Sequence, residues 1–250
     1  MRNVRWLGIL SLIAFVFCLL HGITAPTQAL EPYGKSLLLY DPAVTEAERI
    51  ETFQSSLRKV GFRTVTVART LTALEEGLAE GFDVVLLVID RASVFPTASF
   101  MRNTIRPYVE DGGLVIISST RNLPVDEWFG FSAGLEVWES DLDHRQTVWT
   151  DGRRWVREPH DIRSEIESRH APMYSYKELA NEWEVMAKRK SPLGEDGEPA
   201  PYLLRAKVGS GVLFATTSGI GLTKGYEVFG HYRPDNAAKL IDNLLWSHDG

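Results

Sequence analysis

Between Phe82 and Thr120 the chain carries two apolar runs separated by one helical stretch. The first is Phe82-Asp-Val-Val-Leu-Leu-Val-Ile-Asp90. The second is Leu114-Val-Ile-Ile-Ser-Ser-Thr120, preceded by Tyr108-Val-Glu-Asp and by Gly112-Gly113, which ends the helix. Residues that are apolar at consecutive positions, not alternate ones, make a strand buried on both faces. Two such strands joined through a helix lie parallel, because a parallel pair needs a crossover connection. This one unit commits the chain to a sheet with helices packed on it.

The residues upstream repeat the unit. Lys35-Ser-Leu-Leu-Leu-Tyr-Asp41 reads as a first strand ending at Asp41-Pro42. Thr45 then opens a helix with Ile50, Phe53, Leu57 and Val60 at three- and four-residue spacing, and Gly61 stops it. Arg63 to Val67 alternates Thr and Val as a second strand, Leu71 to Glu80 is a second helix ending at Gly81, and Val84 to Ile89 is the third strand. The expected class is α/β: a doubly wound, mostly parallel, flavodoxin-like sheet with helices on both faces.

After Thr120 the pattern changes. Gln146 to Val156 reads as a hairpin around Asp151-Gly152, a dipeptide suited to a tight turn. Glu184 to Ala187, Tyr202 to Val208 and Val212 to Thr216 read as strands, and Asn236 to Trp246 as a closing helix with Ala237, Leu240, Ile241, Leu244 and Leu245 inward. The expectation is one domain over 30–250 with an antiparallel elaboration at about 135–205.

The first 29 residues have the three parts of a secretory signal peptide. Arg2 and Arg5 are the basic region, Trp6 to Leu20 the apolar run, and Thr27-Gln-Ala29 the small-residue cleavage site. The run is short for a spanning helix, which needs about 20 residues. A periplasmic or secreted protein is expected, with an uncleaved N-terminal anchor as the alternative. Bulky Val16-Phe17 before Cys18 argues against a lipoprotein.

Cys18 is the one cysteine, so the exported part has no disulfide and depends on an apolar core. Of the 27 lysines and arginines, Arg2 and Arg5 leave with the leader, so 25 face 33 acidic residues. Such an acidic chain excludes nucleic acid as a partner, since phosphates reward clustered cations.

Tyr108-Val109, Gly112-Gly-Leu-Val-Ile-Ile117, Gly209-Ser-Gly-Val-Leu-Phe-Ala-Thr-Thr-Ser218 and Asn243-Leu-Leu-Trp246 together resemble the class I glutamine amidotransferase-like superfamily, and within it exported ThuA-like proteins. The resemblance implies the fold. Amidotransferases of this type use a cysteine on a strand-to-helix elbow and a His/Glu pair after a late strand. The matching positions here are Ser118-Ser119-Thr120 and Thr217-Ser218, so no catalytic residue carries over. The resemblance also implies structural support as the role of His160, in Glu158-Pro-His-Asp-Ile162.

The candidate site residues come from chemistry at the strand ends. Open α/β sheets bind ligands beyond the carboxyl ends of their strands, where the strand order reverses. Asp41 and Asp90 stand at two such ends, although turn formation by Asp41-Pro42 and capping by Asp90 explain both residues without a ligand. Ser118-Ser119-Thr120 lacks the glycines of a Gly-x-Ser-x-Gly elbow, so its hydroxyls read as backbone partners before they read as nucleophiles. The long segment Gly219 to Pro234 carries His231 among Tyr226, Phe229 and Tyr232, a set suited to a sugar or other polar small molecule. The expected ligand-binding set is Asp41, Asp90, Ser118, Ser119, Thr120, Ser218 and His231, with no catalytic residue, cofactor or metal. Glu139, Asp141, Asp143 and His144 lack the glycine turn and the further bidentate carboxylate of a calcium loop, so they read as a solvated loop.

The functional expectation is an exported, non-catalytic binding or interaction module. Its partner is a small molecule, with sugars as candidates, or an envelope protein, and membrane contact runs only through an uncleaved leader. The alternative is a hydrolase acting on carbohydrate from a non-standard site near Asp90 and His231, with Glu227. Trp183 and Trp246 read as core, while Trp128, Trp138, Trp149 and Trp155 are candidates to face a partner.

Overall fold

The computed structural model describes residues 34–42, 46–89, 96–119, 124–138, 145–149, 156–162, 167–168, 173–190, 199–217 and 234–249. Its first half follows the apolar runs. Strand β1 is Lys35–Tyr40, helix α1 Ala47–Lys59, β2 Phe62–Ala68, α2 Leu71–Glu80, β3 Val84–Val88 and β4 Leu114–Ser118. Helix α3, between β3 and β4, runs as Ala98–Phe100, a π-helical turn Met101–Ile105, and Arg106–Glu110. Pro107 supplies no N–H and crowds the preceding turn. The helix accommodates it by widening, with the Arg106 N–H reaching back five residues to the Met101 carbonyl. Glu46, not Thr45, takes the N-cap position of α1, and it makes no side-chain cap bond.

The remaining elements are α4 Val125–Phe129, β5 Gly134–Trp138, β6 Arg145–Trp149, β7 Glu167–Ser168, β8 Met173–Lys177, β9 Trp183–Lys190, β10 Ala200–Val208, β11 Gly211–Thr216 and α5 Pro234–Asp249. Nine strands form one sheet in the order β2-β1-β3-β4-β11-β10-β9-β6-β7. The five from β2 to β11 are parallel. From β10 outward each strand runs antiparallel to its neighbour. This is the α/β sheet with an antiparallel elaboration that the sequence predicts. In β6, Gln146 to Trp149 pair with β9 and Arg145 and Gln146 with β7; residues 150–155, which carry the turn of the expected hairpin, lie outside the described residues, and β5 with β8 forms a separate two-stranded sheet. Alternation in a sequence marks a strand but does not choose its partner.

Helices cover both faces of the sheet. Leu37, Leu39, Val84, Leu86, Leu114, Ile116, Val212 and Phe214 point to one side, where Ile50, Phe53 and Leu57 of α1 and Leu240, Ile241 and Leu244 of α5 pack. The alternate residues Leu38, Val85, Leu87, Val115, Ile117 and Leu213 meet Leu74 of α2, Met101, Ile105 and Val109 of α3, and Trp128 and Phe129 of α4. Two-sided cover is why β3, β4 and β11 are buried at every residue and read as unbroken apolar runs. Trp128 is 1% exposed, so it belongs to this core and does not face a partner.

At the amino ends of β4 and β11, backbone meets backbone. The Ser210 N–H donates to the Glu110 carbonyl (2.9 Å) and the Val212 N–H to the Gly113 carbonyl (3.1 Å). A Cβ on Gly211 would stand 2.9 Å from the Gly113 nitrogen and closer still to the Val109 and Gly113 carbonyl oxygens. Gly209 and Gly211 therefore serve the close approach of the β10–β11 turn to the end of α3, while a Cβ on Gly113 would meet the Tyr108 ring.

Helix α5 is tied down along its length. Asp235 accepts bonds from Ser56 (2.6 Å) and Lys59 (2.9 Å) of α1. Asp242, 2% exposed, receives the Lys35 ammonium on one carboxylate oxygen and the His160 ring, at 3.0 Å, on the other. Asn243, fully buried, accepts the His160 N–H (3.0 Å) and donates to the His160 carbonyl (2.7 Å). His160 is thus the structural support that the resemblance implies. It sits in a short segment closed by the Ile162 N–H to Val156 carbonyl bond, with Val156 and Ile162 both in the core.

Candidate functional site: the carboxyl edge of the parallel strands

The strand order places a topological switch between β1 and β3. From β1 the chain leaves through α1 on one face to reach β2, and from β2 it returns through α2 on the other face to reach β3. A crevice at the carboxyl ends of β1 and β3 is the position such sheets offer to a ligand. Asp41 lies there, immediately after β1, with 0% exposure. Its N–H continues the ladder to the Ala68 carbonyl (3.0 Å), and its Oδ2 lies 3.6 Å from the Arg69 guanidinium. That separation is an ion pair outside hydrogen-bond range.

Register carries the same edge across the sheet. Ser118 stands beside Val88 of β3 and Thr216 of β11. The Ile89 N–H donates to the Ser118 carbonyl (2.8 Å), the Ser119 N–H to the Thr216 carbonyl (3.1 Å), and the Thr217 N–H to the Tyr202 carbonyl of β10 (3.1 Å). The strand ends are therefore fixed by the ladder itself. Ser118 and Ser119 are fully buried, and Thr216 and Thr217 are no more than 3% exposed. At the end of β1, Tyr40 is 4% exposed, and burial raises its phenol above the ordinary range, so it stays a neutral hydroxyl.

Polar side chains are seldom buried without a reason. Of the nine buried polar residues among those described, five are Asp41, Ser118, Ser119, Thr216 and Thr217 at this edge. The helices that start here use first-turn N–H groups on their own caps: Thr70 accepts from Ala73 in α2 and Thr97 from Phe100 in α3, both at 3.1 Å. The edge thus gathers one carboxylate and several hydroxyls in a low-dielectric setting.

Of the seven expected ligand-binding residues, Asp41, Ser118 and Ser119 are brought to one edge. Asp90, Thr120, Ser218 and His231 lie outside the described residues, as do the Glu139, Asp141, Asp143 and His144 cluster and Glu227. Among the described residues no group of three potential metal ligands occurs, and no helix is long and apolar enough to cross a membrane. The reading of individual residues passed over Arg69, Thr216 and Thr217 as site members. For the threonines the available signal was two hydroxyls ending an apolar run.

No family model matches the sequence, and no curated protein matches it. Solved structures do match in fold. A ThuA-like protein from Bacteroides uniformis superposes with a TM-score of 0.56 at 14% identity, over 85% of this chain and 90% of that one. A protein assigned as a GMP synthase component from Thermoplasma acidophilum gives 0.53 at 12% identity, over 87% and 95%. The chain has a glutamine amidotransferase-like fold. It also superposes on part of a beta-galactosidase from Bacillus circulans, with a TM-score of 0.50 at 15% identity, covering 86% of this chain but only 31% of the enzyme. At these identities the likeness concerns architecture.

Proposed function

We propose that this protein is an exported, non-catalytic binding module that holds a small polar ligand at the carboxyl edge of its sheet, around Asp41, Ser118 and Ser119. The observation that carries the reading is the concentration of buried polar side chains at the β1/β3 switch point and along the adjoining strand ends. Its non-catalytic character is supported by the chemistry of the strand tip. A serine nucleophile needs a general base within hydrogen-bond reach. Both described histidines lie at the opposite edge, His160 on Asp242 and His248 on the Gly112 carbonyl. The chain's one cysteine, Cys18, falls in the leader. Export rests on the signal-peptide pattern of the first 29 residues, which predicts a mature N-terminus at Leu30.

The test is a thermal-shift screen of the purified chain against sugars, amino acids, nucleotides and divalent cations. A ligand present at one hundred times its Kd and bound only by the native state adds about 2.7 kcal/mol. For a domain of this size that raises the Tm by about 5–10 °C. The expected outcome is a shift that Asp41→Asn abolishes while the variant alone remains folded by circular dichroism. A shift that survives both Asp41→Asn and Ser119→Ala would place the ligand elsewhere. No shift from any class would overturn the small-molecule reading and leave an envelope protein, captured by pull-down from that fraction, as the partner.

A further inference from the structure

We draw no further inference here: the strongest candidate, the Lys35–Asp242–His160 cluster with Asn243 at the amino edge of the sheet, commits its polar contacts to holding the 156–162 segment against α5 and β1, and nothing in the structure points from it to a ligand or a partner.

Discussion

Replacing Asn243 with alanine removes both hydrogen bonds that clip the peptide of His160 to α5, at 3.0 Å and 2.7 Å. Each such bond contributes about 0.5–1.5 kcal/mol net, and a buried group left unmade costs more. Both bonds are only partly buried, so water can reach the abandoned peptide and limit that second cost. A loss of about 2 kcal/mol follows, since the two bonds alone supply about 1–3 kcal/mol. For a domain of 150–250 residues this lowers the Tm by about 4–8 °C. Urea denaturation gives the free energy, and amide exchange at His160 and Ile162 should accelerate ahead of the sheet. Asn243→Asp keeps an acceptor for the His160 N–H but turns a carboxylate toward the His160 carbonyl, beside Asp242, so it should cost at least as much. Ser247→Ala, which removes only a bond to Leu244 within the helix, is the control and should stay within about 0.5 kcal/mol of wild type. The reasoning is refuted if Asn243→Ala behaves like that control and exchange at His160 is unchanged.

The glycine interlock predicts a graded pair. Gly211→Ala drives a methyl into backbone at Val109 and Gly113, which cannot rotate away, and should cost about 3 kcal/mol or more. Gly130→Ala, in the left-handed region at φ 84° and ψ 9°, meets only the Arg106 guanidinium at 3.6 Å and should cost only about 1–2 kcal/mol; equal costs by urea denaturation would contradict the close approach. The hydrogen bond from Ser56, and then that from Lys59, holds the Asp235 carboxyl below its ordinary value. Its contribution is therefore present above about pH 4 and lost as the pH falls through the lowered folded value. The Tm difference between wild type and Asp235→Asn should be constant from pH 5 to 7 and shrink below about pH 4. With Asp235 more than half exposed, that difference should correspond to less than about 1 kcal/mol, and parallel Tm curves down to about pH 3 would remove Asp235 from the account. A fluorophosphonate probe should leave the native chain unlabelled, and labelling that disappears in Ser119→Ala would restore a serine hydrolase.

The parallel half of the sheet was legible because burial on both faces prints itself as consecutive apolar residues in β3 and β4. The inner face of α5 was legible for a related reason, since Ala237, Leu240, Ile241, Leu244 and Leu245 recur at helical spacing and are all buried. Asp242 and Asn243, on the same turns, were not: their burial follows from the 156–162 segment lying across them, a long-range contact with no local sign. Strand partners in the antiparallel half were hidden for the same reason, because β6 takes β9 and β7 from distant parts of the chain. Trp128 read as a candidate for the surface because α4 is too short to display a helical period, yet its ring is core. At the site, Asp41, Ser118 and Ser119 were legible as polar residues ending apolar strands. Thr216 beside Ser118 depended on the register of β11 against β4, which sequence spacing does not encode.

The most direct test of the proposed site is amide hydrogen exchange of the full chain with and without the ligand that the thermal screen returns. Binding at the carboxyl edge predicts added protection at the strand ends there, at Asp41, Ile89, Ser119 and Thr217, with no change at His160 and Ile162 on the opposite edge. Protection confined to the amino edge, or spread evenly over the sheet, would contradict a binding site at the β1/β3 switch point.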